Sequence, residues 1–113
     1  MSNKTKKPVL TETVKATGAI IKHRFVAYTG KQAAATEAAL GVAVYDAAAG
    51  DAVAVETLGT LLVESGGALA VGDAVAADAQ GCAVKQAGTA VVIGRAMDTA
   101  TAANEIIRIK MGG

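Results

Sequence analysis

The sequence predicts an all-β protein, a small β-sandwich or barrel-like knob with a flexible N-terminal arm. Three observations carry this. Turn-forming clusters of Gly, Asp and Ser recur about every 8–12 residues, the spacing of short antiparallel strands. The segments between them alternate apolar and polar positions rather than repeating every three or four residues. With 113 residues, the chain suits one domain, which we place at residues 16–113 behind an arm at 1–15.

Residues 1–8 are polar and basic, with no side chain that gains much from burial, and Pro8 holds Lys7 in an extended conformation. Residues 19–29 read as the first strand. Ile21, His23, Phe25 and Ala27 would share one face, with Phe25, the only Phe, as core anchor. Thr29-Gly30-Lys31 is a turn. Residues 32–39 are Ala-rich and suit a short helical turn or a loop lying on a sheet. Residues 40–45 and 51–56 read as a hairpin around the turn 46–50, and residues 58–64 continue in β beyond a break at Gly59. Short strands follow at 68–71, 74–77 and 82–85, separated by Gly72-Asp73 and by Asp78-Ala79-Gln80-Gly81. The last two strands fall at 91–97 and 105–111. In the latter, Ile107, Ile109 and Met111 face opposite to Arg108 and Lys110.

Two stretches resemble each other. Leu40 to Asp46, an Ala-rich turn, then Asp51 and Val53-Ala54-Val55 parallel Ile93 to Asp98, an Ala/Thr turn, then Glu105 and Ile107-Arg108-Ile109. Duplication and convergent hairpin chemistry explain this equally well.

The composition is 52% hydrophobic but only 3% aromatic, and 27 residues are Ala. At about 25 cal/mol per Å² of apolar surface removed from water, an Ala/Val core stabilises less per residue than one of Leu and Phe. Such a core profits from contacts with partners. The formal net charge is +1, unevenly spread: residues 1–24 carry six basic groups and one acidic, residues 25–113 five basic and nine acidic. A basic start on a mildly acidic body suits an acidic partner surface or a solvated end. It does not suggest a nucleic-acid or membrane-surface protein. No apolar run approaches the roughly 20 residues that span a bilayer, and none follows the basic start as a secretory signal requires.

Chemistry-bearing patterns are sparse. A single Cys, Cys82, and a single His, His23, have no nucleophile motif around them. The pairs Asp46/Asp51 and Asp73/Asp78 lack the pattern of a calcium loop and suit turn capping. No phosphate or dinucleotide loop is present. The expectation is therefore a non-enzyme with no catalytic residues, no metal and no cofactor.

The ordered series Arg24-Phe25-Val26, Leu40-Gly41-Val42-Ala43, Tyr45-Asp46, Gly50 to Val55, Glu64 to Ala68, Gly72 to Val75, Asp78 to Gly81, Ile93 to Ala96 and Glu105 to Arg108 resembles the capsid cement, or head decoration, proteins of tailed bacteriophages. The resemblance spans residues 16–111. It implies a β-rich knob, commonly a homotrimer, made in the host cytoplasm and placed on the outer capsid surface, where it stabilises the expanded head. The implied partner is the major capsid protein. In this reading Lys4, Lys6, Lys7, Pro8, Val9 and Leu10 form the capsid-binding arm, which adds a strand to an exposed sheet edge. A tail or fibre component is the alternative.

Overall fold

The computed structural model describes residues 5–112. Eight strands and no helix are found among them: β1 (Lys7–Lys15), β2 (Phe25–Ala27), β3 (Ala39–Ala43), β4 (Ala52–Glu64), β5 (Ala74–Ala77), β6 (Ala83–Lys85), β7 (Gly94–Ala96) and β8 (Ile106–Met111). All pair antiparallel in one sheet of order β2-β3-β4-β8-β7-β5-β6, with β1 attached to β4 outside that path. The ends of the path approach each other. The Phe25 amide in β2 donates to the Gly81 carbonyl just before β6 at 2.8 Å. The sheet therefore curls into a nearly closed barrel.

The pairing scheme occurs twice. In residues 11–58, Val14 lies opposite Val53, Phe25 opposite Val42, and Ala43 opposite Val55. In residues 60–111, Val63 lies opposite Ile107, Ala74 opposite Arg95, and Ala96 opposite Ile109. The bridge Ile20–Ala47 recurs as Leu69–Ala100. Gly41 and Gly94 recur as well. A Cβ on either would strike the carbonyl of the facing strand, Glu56 O and Lys110 O respectively, so both positions need glycine. The hairpin similarity is thus part of a whole-unit structural repeat. It also corrects one correspondence. Asp98 matches Tyr45 rather than Asp46, since the Ala54 amide donates to the Tyr45 hydroxyl at 3.2 Å and the Arg108 amide to Asp98 Oδ2 at 2.9 Å.

The two units share β4. Residues 52–58 close the first unit and residues 60–64 open the second. Gly59, expected to break the chain into two strands, instead joins them, with a φ of +108° that a side chain would oppose.

The units differ in what they bury. The main core draws Leu61, Val63, Val75, Ala96, Ile107 and Ile109 from the second unit and Phe25, Ala27, Ala39 and Val42 from the first. On the opposite face of the first unit, Val26, Ala43, Val53 and Val55 form a smaller core with Ala16 and Ile20. The sequence places Phe25 correctly as an anchor. The expected strand at 19–29 shortens to Phe25–Ala27, because His23 adopts a left-handed φ of 65° and the chain turns there. Ile20, not Ile21, is consequently the buried isoleucine.

Candidate functional site

The segment expected as a flexible arm is largely strand. Its side chains explain why it reads as unattached: from Lys7 to Lys15 only Val14 is even partly buried. The backbone does the attaching, in antiparallel register along β4 from Ala52 to Thr60. Two register shifts around Leu10 fit β1 to the bend at Gly59. Among the described residues β1 pairs only with β4, which leaves its outer edge free of them.

Of the residues expected to bind a partner, Lys4 lies outside the described residues. Lys6 reaches down to the otherwise buried Glu56, Nζ to Oε2 2.9 Å. Lys7 lies opposite Thr60 and Pro8 opposite Gly59. Val9 is 73% exposed and Leu10 47%. Leu10 faces Leu58, and its carbonyl accepts a hydrogen bond from Thr57 Oγ1. The structure therefore gathers Lys6 to Leu10 over the joint between the units.

Residues that the sequence reading missed lie beside them. A groove of about 280 Å³ is lined by Tyr28, Leu40, Thr57, Val91 and Val92. It shares Val92, Ile93 and Gly112 with a second cleft of about 380 Å³ that also touches Arg95 and Lys110. Tyr28, Val91 and Val92 are exposed, although 91–97 reads as one strand. The strand is only Gly94–Ala96. The two valines were legible as apolar but not as uncovered.

A polar seam ties the two units together where β4 ends at Glu64. Arg24 Nε meets Glu64 Oε1 at 3.1 Å, and Arg24 Nη1 donates to the Gln80 carbonyl. Asn104 Nδ2 donates to Glu64 Oε2 at 2.6 Å. The Asn104 hydrogen bond, then that from Arg24, hold the Glu64 carboxyl below its ordinary range against the opposing effect of burial. Burial is the largest single influence on the Arg24 guanidinium and works to lower it, yet the hydrogen bond to Glu64 and the nearby negative charge together outweigh it and leave the group above its usual value.

The reactive side chains are not poised. Burial, aided by the Asp78 charge, pushes the Cys82 thiol up to about 11, so it stays protonated at neutral pH. Burial and the charges of Lys22 and Lys6 lower the His23 imidazole. No group of three or more His, Cys, Asp or Glu that could hold a metal occurs among the described residues. What the arrangement offers is a surface for recognition: a free strand edge, exposed apolar side chains and lysines.

A β-knob with such a surface is what a structural, capsid-associated protein presents. The chain matches the phage cement protein family over residues 4–111 and belongs to that family. It is accordingly a virion component that binds the capsid. Its fold is shared with the crystal structure of the head fiber gp8.5 N base of bacteriophage phi29, at a TM-score of 0.76 and 24% sequence identity, over 91% of this chain and 93% of that one. No curated protein sequence matches it.

Proposed function

We propose that the chain is made in the host cytoplasm, binds the major capsid protein on the outer surface of the expanded head, and stabilises that head by contact alone, with no reaction of its own. The observation that carries this reading is the free outer edge of β1, exposed on both faces and flanked by Lys6 and Lys7. A capsid strand pairing with that edge would extend the sheet through backbone hydrogen bonds. Val9 and Leu10 would cover apolar surface, and the lysines would meet acidic groups. Many such contacts on a symmetric shell add through avidity. Assembly as a homotrimer belongs to the same reading, supported by the Ala-rich composition and by the exposed strip at Tyr28 and Val91.

Removing residues 1–10 tests it. The shortened chain keeps Thr11–Lys15 opposite Ala52–Glu56, so it should remain folded by circular dichroism but fail to co-sediment with expanded heads. Saturation of those heads by the shortened chain would overturn the assignment. Light scattering should give three times the 11.1 kDa chain mass. The second reading, a fibre-base component, is favoured by the likeness to the phi29 head fiber base. Binding to isolated tails or fibres in preference to expanded heads would select it.

A further inference from the structure

One face of the sheet carries cations that are far apart in sequence and aligned by pairing. Lys7 lies opposite Thr60, Thr60 opposite Lys110, and Lys110 opposite Arg95. Directly opposed residues of an antiparallel sheet project to the same side. Lys7, Lys110 and Arg95 are all exposed. At a strand spacing of about 4.8 Å, the row runs roughly 14 Å.

None of the three belongs to an ion pair among the described residues; those pairs are Lys6–Glu56, Arg24–Glu64 and Arg108–Asp98. Arg95 Nη1 donates to the Gly72 carbonyl at 3.3 Å, which steadies the side chain without neutralising it. Like charges placed directly opposite each other cost stability. Lys110 and Arg95 are nevertheless directly opposed. Adjoining the row is the 380 Å³ cleft, with Val92, Ile93 and Gly112 in its wall.

The first unit shows what this face is suited to. Its equivalent row is Thr11, Glu56, Val42 and Phe25. Val42 and Phe25 are fully covered there by the second unit. The same face of the repeat is thus a packing face in one unit and bare, cationic and creviced in the other.

We propose that this face of the second unit receives an acidic, extended polypeptide segment of the capsid, with carboxylates on the Lys7–Lys110–Arg95 row and an apolar side chain in the cleft beside Val92. The proposal rests on the capsid-binding reading and extends it to residues outside the N-terminal arm. Nucleic acid fits the face less well. Duplex binding draws on many phosphate contacts, whereas this row ends at Ala74 after three cations, on a body whose residues 25–113 are net acidic.

The full-length protein, an Arg95→Ala/Lys110→Ala double variant and a Lys31→Ala control would be titrated with poly-L-glutamate and with short duplex DNA at low salt, and sedimented with expanded heads. Poly-L-glutamate should bind the wild type and the control, weaken as salt rises, and lose about tenfold in affinity in the double variant. The double variant should unfold at the same temperature or higher, since it is relieved of the opposed charges. Equal binding of poly-L-glutamate by wild type and double variant would overturn the proposal, as would tighter binding of DNA than of poly-L-glutamate. If the double variant sediments with heads as the wild type does, the row proposal fails and the capsid reading stands. If the wild type itself does not sediment, the capsid reading fails, and the poly-L-glutamate titration still decides what the row recognises.

Discussion

The two units of this protein follow one pairing scheme and treat their opening strand in opposite ways. In the second unit, the strand at 60–64 sits inside the sheet, and its inward residues Leu61 and Val63 are completely buried. In the first unit, β1 makes the equivalent pairing with Glu12 and Val14 at those positions, and Glu12 is exposed. A strand's place in a sheet can thus be set by backbone pairing alone, while side chains decide whether it contributes to the core or remains available. The low side-chain burial of β1 leaves its side chains open to a partner.

The comparison can be broken at its largest contact. Phe25 is the first unit's main insertion into the shared core, while its equivalent Ala74 is half-buried at the surface. Phe25→Ala should cost about 3–5 kcal/mol in urea unfolding. A loss below about 1 kcal/mol would mean that the units do not depend on this contact. A sharper test uses the opening strands. Leu61→Ala should cost about 2–5 kcal/mol, whereas Glu12→Ala, at the equivalent position, should stay within about 0.5 kcal/mol. Similar losses at both sites would mean that β1 is as integral as its counterpart.

The smallest effect concerns the seam. The Glu64 carboxyl ionises more readily in the folded protein than its unfolded value of 4.5, so its contribution is complete above that value and is lost as pH falls through the lower folded value. Glu64→Gln should lower stability at pH 7 by about 1 kcal/mol and flatten the acid limb below pH 4.5. An acid limb identical to that of the wild type would remove Glu64 from the seam.

Much of the strand placement along the chain was legible, because Gly and Asp turns punctuate it and the apolar alternation from Val53 to Val63 and from Ile107 to Met111 matches the buried faces. The failures have physical causes. A left-handed residue announces itself when it is glycine, as at Gly72, and not when it is His23, which holds the equivalent position. The sequence of β1 carries Val9, Thr11, Thr13 and Val14, good strand formers, but no alternation that a core would reward, so it reads as an arm. The surface features were further from view. Lys7, Arg95 and Lys110 meet only through three successive registers, and nothing local to any of them announces the others.

β4 has one more consequence. It is at once the last strand of one unit and the first of the next, so the two units share one continuous strand as well as the main core. A joint of this kind couples the units into a single cooperative transition. A loss of order begun at either end of the barrel is then shared by the whole, and the protein holds its shape or gives it up as one body.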